Sequence, residues 1–140
     1  MLEPKKNKFI KVHKRRLKGL SYRGNILSFG DYGIKSIDKF KFINQKQIES
    51  ARVAINKFLK KGSKLYINIF PNKPITKKPQ EVRMGKGKGN FDTWVCPVKP
   101  GRILFEIKGI NYNIAYKALL AGSHKLPIKT KIIISKFIYD

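Results

Sequence analysis

The chain has 140 residues, of which 32 are Lys or Arg and 8 are Asp or Glu, so its formal net charge is +24 at pH 7. With 41% hydrophobic residues it is apolar enough to fold as one domain with a core, and it is not disordered as a whole. Such a charge attracts polyanions, nucleic acid first and an anionic membrane surface second. A single cysteine excludes an internal disulfide and a cysteine-based zinc cluster, and no apolar run is long enough for a membrane helix.

Residues 1–24 are predicted to form a basic N-terminal arm. Apolar residues such as Phe9, Val12 and Leu17 stand between the cations. This pattern favours an extended segment that is anchored on the body of the protein and laid along nucleic acid; a solvated, mobile tail is the alternative. The candidate nucleic-acid contacts of the arm are its basic side chains: Lys5, Lys6, Lys8, Lys11, His13, Lys14, Arg15, Arg16, Lys18 and Arg23.

Residues 25–140 are predicted to form a single α+β domain with a mainly antiparallel sheet and two helices. Short strands are expected at 26–29 and 32–36, where glycines punctuate apolar pieces. A helix is expected at 44–61, because Asn44 and Gln47 have the spacing of a capping box and Gly62 is a typical stop. Its apolar face has helical spacing and consists of Ile48, Ala51, Ile55, Phe58 and Leu59.

Five more elements complete the predicted domain. A strand at 65–70 presents Leu65, Ile67 and Ile69 on one face. Strands at 94–98 and 103–107 are joined by a turn at 99–102, and Pro97 places the first of them at a sheet edge or at a bulge. A second helix at 111–123 and a last strand at 128–138, rich in β-branched residues, follow.

Residues 71–93 are predicted to form a long loop without regular structure, a kind of segment that is usually functional or disordered. Trp94 and Phe70 bracket the loop and are expected to pack in the core and fix its ends, with stacking on bases as the alternative. At its centre glycines alternate with lysines, which lets backbone N–H groups and ammonium groups approach a phosphate closely; a solvated flexible loop is the alternative. The candidate residues of this centre are Arg83, Met84, Gly85, Lys86, Gly87, Lys88 and Gly89.

No motif of the chain predicts catalysis. The glycine run lacks the spacing and the Ser or Thr of a Walker loop. His13 lies in the arm, where contact with RNA or solvent is expected, and His124 lies at the end of the second helix, where it is expected to cap the helix dipole. Glu81 and Asp92 flank the glycine run and are expected to hold a loop cation. We predict no enzymatic activity, no cofactor and no metal site.

Five stretches in native order and spacing resemble the bacterial-type large-subunit ribosomal protein sixteen family, which also has organellar members. They are residues 4–9, residues 47–52, a central signature at 70–76 and 81–89, residues 100–106 and residues 125–130. The resemblance implies an α+β domain embedded in large-subunit ribosomal RNA, between the central protuberance and the peptidyl-transferase region. The implied partners are that RNA, aminoacyl-tRNA and neighbouring ribosomal proteins, with no membrane and no homo-oligomer.

The resemblance also assigns roles to the two basic segments. The arm is implied to run into ribosomal RNA, and the loop at 83–89 is implied to reach toward the aminoacyl-tRNA site, so that the protein fixes RNA geometry. A free RNA-binding protein or RNA chaperone is the alternative that basicity alone permits. The chain departs from the family pattern at Tyr66, where tryptophan is usual, and at Asn68, where arginine is usual, a change that bears on one RNA contact.

The expected location is a mitochondrial ribosome. Lysine greatly outnumbers arginine, and isoleucine and asparagine are abundant, which indicates an AT-rich genome. The stretches at 32–36 and 81–90 resemble mitochondrially encoded members most closely. A plastid and a bacterial cytoplasm are the alternatives.

Overall fold

The computed structural model describes residues 2–15 and 17–135, so the predictions for Arg16 and for the strand beyond residue 135 lie outside the described residues. Neither helix of this part has the length and hydropathy of a segment that crosses a bilayer. The elements are β1 (Tyr32–Ser36), β2 (Lys41–Asn44), α1 (Gln45–Asn56), β3 (Lys64–Ile67), β4 (Lys73–Lys77), β5 (Asn90–Val98), β6 (Ile103–Lys108), α2 (Tyr112–Ser123) and β7 (Thr130–Ile134).

The strands pair into two antiparallel sheets, which confirms the α+β class. One sheet has the strand order β3-β6-β1-β7 and the other has the order β2-β5-β4. β5 and β6 follow each other along the chain, as predicted, but they belong to different sheets. The turn at 99–102 therefore carries the chain from one sheet to the other, and Gly101 takes a φ of +86° there, which glycine adopts without strain.

The core lies where the two helices meet each other and the sheets. α1 packs on α2, β2 and β5, while α2 also contacts β1 and β7. Ile48 and Ile55 of α1 and Leu119 of α2 are fully buried. A Cβ on Gly122 would lie 2.5 Å from Cγ1 of Ile55, so the absence of a side chain at this position allows the close approach of the two helices.

Both helices begin within one residue of the predicted position, but α1 ends early. Gln47 Oε1 accepts a hydrogen bond from the Asn44 N–H at 2.9 Å. Asn111 and His124 occupy the N-cap and C-cap positions of α2, and the Asn111 side chain makes no capping hydrogen bond. After Asn56 the backbone tightens to three-residue spacing, with the Phe58 N–H donating to the Ile55 carbonyl at 3.1 Å. Phe58 therefore lies outside α1, and the predicted extension to residue 61 is wrong.

The predicted strands need several corrections. Residues 26–29 form no strand, and the strand predicted at 65–70 ends at Ile67. β5 and β7 begin at Asn90 and Thr130 and not at residues 94 and 128, and neither β2 nor β4 has a counterpart in the sequence-based prediction. β2 is only four residues long, with a single fully buried side chain, Ile43. Alternation of polar and apolar residues over so short a stretch does not identify a strand. The sequence-based prediction therefore missed β2, which is recognised as a strand only by its pairing with β5.

Pro97 predicted a strand that is a sheet edge or carries a bulge; β5 is not an edge, because it is central in its sheet, but it does contain a register irregularity. Pro97 pairs with Phe42 of β2, but the pairing with β4 extends only to Val95, so Pro97 has a strand on one side. A missing N–H is tolerated at such a position. The register irregularity of β5 lies where Ile75 and Thr76 face Thr93 and Phe91 and leave Asp92 between them.

The segment predicted as a structureless loop contains regular structure at both ends. β4 pairs with β5 from Lys73 opposite Val95 to Lys77 opposite Asn90, so residues 73–95 form a β-hairpin whose irregular tip spans 78–89. The prolines of this segment indicated a loop. Pro74 is nevertheless compatible with β4, because β4 is the outer strand of its sheet and need not donate on both sides.

Cys96 is a buried residue, with 7% of its surface exposed. Burial raises the pKa of the Cys96 thiol. Since the thiolate is the reactive form, this cysteine is protected in the folded protein both by its low accessibility and by its low ionisation. Its reaction with a thiol reagent therefore reports unfolding.

Replacement of Ile55 by Asp is expected to unfold the domain. Ile55 is fully buried against α2, and an uncompensated buried charge costs about 3–5 kcal/mol, a large part of the stability of a small domain. Urea unfolding and the rate of Cys96 labelling measure the effect. The control is Val53→Asp on the exposed face of the same helix, for which a change below about 1 kcal/mol is expected. Equal stability of the two variants would contradict the assigned core.

Candidate nucleic-acid interface

The hairpin formed by residues 73–95, called the basic hairpin below, presents its tip to solvent. Residues 81–88 are all exposed, and Met84 has 95% of its surface accessible. Gly85, Lys86 and Gly87 take φ values of +101°, +56° and +83°. A Cβ on Gly85 or Gly87 would meet nothing within 4 Å, so these glycines are required by backbone conformation and not by lack of space.

Gly89 has a different physical reason to be glycine. A Cβ at this position would lie 2.6 Å from the Lys77 carbonyl oxygen, on the opposite side of the hairpin. The glycine therefore permits the two sides to approach each other just before the tip. The Lys78 ammonium closes the tip further, because it donates a hydrogen bond to the Gly85 carbonyl.

Residues 2–15 and 17–24, which constitute the described part of the arm, contain no helix or strand. Their predicted RNA-binding side chains are all exposed: Lys5, Lys6, Lys8, Lys11, His13, Lys14, Arg15, Lys18 and Arg23. The arm does not project freely into solvent along its whole length. Its middle part lies against the three-stranded sheet, where Val12 and His13 line a cleft together with Pro74 and Ile75 of β4.

The arm also touches the basic hairpin, so the structure brings together two segments that the sequence analysis treated separately. The Lys88 ammonium donates to the Val12 carbonyl at 2.8 Å. In the opposite direction, the Lys11 ammonium donates to the Lys88 carbonyl at 3.5 Å. Close by along the arm, the Lys14 ammonium lies 5.0 Å from the centre of the Phe42 ring, within the range of a cation–π interaction.

A buried carboxylate holds the segment that follows the arm. Glu106, on β6, is fully buried, and its oxygens accept hydrogen bonds from the backbone N–H groups of Ser28, Phe29 and Gly30 at 3.2, 2.7 and 2.7 Å. The Asn68 side-chain amide donates to the same carboxylate. Four donors around two oxygens suit an ionised carboxylate, which is an acceptor only.

Arg102 extends this network to the end of the arm. Its guanidinium donates to the Arg23 carbonyl at 2.9 Å and to the Asn68 carbonyl at 3.1 Å. A Cβ on Gly24 would lie 2.5 Å from the Arg102 guanidinium, so the chain passes the guanidinium closely at that point. The departure from the family pattern at position 68 therefore lies within this network, because the Asn68 side chain points to Glu106.

Sequence reasoning missed Glu106 as an important residue, although a signal was present. It is the only acid within the strand Ile103–Lys108, whose other residues before Lys108 are all buried and apolar. Acids are almost never fully buried unless they are paired or hydrogen-bonded. A lone carboxylate in an apolar strand thus indicates a set of donors that comes from elsewhere in the chain.

Two expectations about the flanks of the hairpin tip are wrong. Glu81 and Asp92 are exposed and form no ion pair or hydrogen bond with a loop cation in the described part of the chain. Phe70 has 46% of its surface exposed, so it does not fix the loop by packing in the core. Trp94 is half-buried, with its ring centre 5.1 Å from that of Phe91 on the same strand.

The carboxylates that do pair with cations lie outside the arm and the hairpin. The ion pairs among residues 2–15 and 17–135 are Lys41–Asp38 and Arg52–Glu49, at 2.9 and 2.6 Å. The hydrogen bond from Lys41 lowers the pKa of Asp38, and the hydrogen bond from Arg52 lowers that of Glu49. Across the described residues no group of acidic, histidine or cysteine side chains is arranged to hold a metal ion.

Replacement of Glu106 by Gln is expected to loosen residues 28–30. One of the two acceptor oxygens becomes an NH₂ donor that faces other donors, and a buried unsatisfied group costs about 1–3 kcal/mol. Hydrogen exchange at the Phe29 and Gly30 amides measures the effect. The control is Glu49→Gln, which removes an exposed ion pair and should change stability little. Unchanged protection of both amides in Glu106→Gln would contradict the role of the carboxylate.

The sequence that folds into this architecture is similar to known proteins over nearly its whole length. Residues 4–133 match the family described as ribosomal protein L16p/L10e. A large ribosomal subunit protein uL16 from Karelsulcia muelleri is 55% identical over 134 residues, which cover 96% of this chain and 98% of the relative. Proteins of the same name from Parabacteroides distasonis and Acinetobacter baumannii are 50% and 51% identical, over 97% and 95% of this chain and 94% and 96% of their own lengths. The chain therefore belongs to the ribosomal protein L16p/L10e family, whose members are structural proteins and not enzymes.

Proposed function

We propose that the arm and the basic hairpin of this large-subunit ribosomal protein bind large-subunit ribosomal RNA as one continuous surface. The observation that carries the proposal is the contact between Lys88 and Val12, which joins the two basic segments at 2.8 Å. Neither segment contributes a cation to the ion pairs of the described residues. Phosphates supply the negative charge that such a surface lacks, and they position a protein on RNA without reading its sequence.

We further propose that the tip of the hairpin helps to shape the aminoacyl-tRNA site near the peptidyl-transferase region. In support, the tip contributes nothing to the core, and Met84 is the most exposed large apolar residue of the described chain. Three successive left-handed residues turn backbone outward at Gly85, Lys86 and Gly87. Such a tip is suited to close contact between its backbone and a second RNA, which is the role that aminoacyl-tRNA would fill.

The compartment of the ribosome that contains this protein is also part of the proposal. The AT-rich composition favoured a mitochondrion, but the relatives named above come from bacteria. The alternative of a bacterial cytoplasm fits these relatives, and a mitochondrial or plastid ribosome stays a prediction from composition. Since the contacts argued above depend on ribosomal RNA and not on its compartment, the binding proposal is the same in each case.

Reversing two charges at the tip is expected to weaken RNA binding without unfolding the protein. Arg83 and Lys86 are exposed and make no hydrogen bond or ion pair with the described residues. In Arg83→Glu/Lys86→Glu, the slope of log affinity against log salt should fall by about 1.5, the value for two lost phosphate contacts. Binding to a large-subunit ribosomal RNA transcript at several salt concentrations measures it.

The matched control is Lys60→Glu/Lys61→Glu, which makes the same change in net charge at exposed lysines outside the arm and the hairpin. If both double variants reduce the slope equally, the binding is non-specific electrostatic attraction. That result would favour the alternative of a free RNA-binding protein or RNA chaperone. Large subunits assembled with the tip variant should also accept aminoacyl-tRNA less well than subunits assembled with the control.

Replacement of Gly87 by Val is expected to impair aminoacyl-tRNA accommodation. Gly87 has a φ of +83° and open space around it, so the variant suffers backbone strain of about 1–2 kcal/mol without a steric clash. Gly62, with a φ of +93° and equally open surroundings, provides the matched control Gly62→Val. The two variants should lose similar stability in urea, whereas only Gly87→Val should slow tRNA accommodation on assembled subunits. Normal accommodation in Gly87→Val subunits would contradict the role of the tip.

A further inference from the structure

We infer that Lys88 is a positioning residue that ties the arm to the basic hairpin, whereas Arg83 and Lys86 are the cations of the hairpin tip that remain for RNA phosphate. The RNA part of this inference rests on the proposed function; the tie between arm and hairpin does not. The alternating sequence Gly85-Lys86-Gly87-Lys88-Gly89 makes the two lysines look equivalent. Their surroundings in the structure separate them.

Lys88 contacts the arm through both its side chain and its backbone. Its ammonium donates to the Val12 carbonyl at 2.8 Å, and its own carbonyl accepts from the Lys11 ammonium at 3.5 Å. These contacts join residues that lie 76 and 77 positions apart in the chain. Two contacts between the same neighbours, in opposite directions, fix the position of the arm better than either contact alone.

Lys86 has none of these features. It lies between two glycines at a φ of +56°, two residues nearer the end of the tip, and makes no hydrogen bond with the described residues. The backbone geometry explains the difference. Gly89 lets the two sides of the hairpin meet at Lys77, so the adjacent Lys88 lies at the base of the tip, where the arm passes. Lys86 lies beyond that point and extends into solvent.

The tie has a function because an ordered arm binds at a lower entropic cost. A free basic arm loses backbone and side-chain freedom when it settles on RNA, and ordering it in advance removes part of that loss. The contact of Lys14 with Phe42 acts in the same direction, two residues beyond Val12. Lys88 thus contributes to RNA binding by placing other cations, whereas Lys86 contributes through its own charge.

A pair of single variants of the full chain tests the assignment. Lys88→Met and Lys86→Met remove the same charge and keep an unbranched side chain, so any difference between them reports the tie. In the free protein, ¹⁵N relaxation should show order parameters of residues 9–15 falling toward the flexible range below ~0.6 in Lys88→Met, and unchanged values in Lys86→Met. Lys11→Met, which removes only the longer contact, should give a smaller decrease.

Binding to a large-subunit ribosomal RNA transcript then separates the two roles. Lys86→Met should reduce the salt slope by about 0.7–0.9, the value for one phosphate contact. Lys88→Met should weaken binding about threefold with a smaller change of slope, because the loss is one of arm ordering. Arm order parameters that are identical in Lys88→Met and the unaltered protein would overturn the inference. A loosened arm combined with unchanged RNA binding in both variants would instead contradict the proposed function and leave the tie standing.

Discussion

The hydrogen bonds to the buried Glu106 carboxylate are the constraint on which the position of the arm depends. Residues 28–30 run so close to β6 that a Cβ on Gly30 would lie 2.7 Å from that of Glu106. The three successive N–H groups of Ser28, Phe29 and Gly30 therefore face the buried carboxylate, and leaving a partly buried donor without an acceptor is costly. The carboxylate accepts from all three. A strongly basic chain thus retains a buried acid because the backbone beside it needs an acceptor.

The distribution of the acids explains how one chain combines a stable fold with a surface that attracts polyanions. Asp38 and Glu49 pair with cations of the folded body, and Glu106 satisfies backbone donors in the interior. The cations of the arm and the hairpin tip have no carboxylate partner among the described residues. The repulsion between these cations opposes a compact chain. Because the arm and the hairpin tip contribute little to the core, this repulsion destabilises the folded body little.

Local signals were sufficient for the starts of the helices and for the class of the fold, and insufficient for the end of α1 and for the pairing of the strands. The capping box at Asn44 and Gln47 marked the start of α1 because capping depends on residues that are neighbours in sequence. β4 was hidden by Pro74, which only its outer position in the sheet makes acceptable. Charge identified the arm and the glycine run as candidate RNA contacts. It did not distinguish Lys88 from Lys86, since that difference arises from a contact with Val12 across 76 residues.

The contacts near the two ends of the arm respond differently to their surroundings. The segment that follows the arm is fixed by hydrogen bonds to the buried Glu106 carboxylate, which salt screens little. At the end of the arm, the Arg23 carbonyl accepts an exposed hydrogen bond from Arg102. Near Val12 the arm is fixed by the exposed ammonium of Lys88, which exchanges readily with water or phosphate. The outer part of the arm can therefore adjust to an anionic partner while the inner part keeps its direction. A chain segment that is held at both ends samples fewer conformations than one held at a single end. We therefore expect Lys14, Arg15, Lys18 and Arg23 to approach the proposed RNA partner along a path that the folded body has already set.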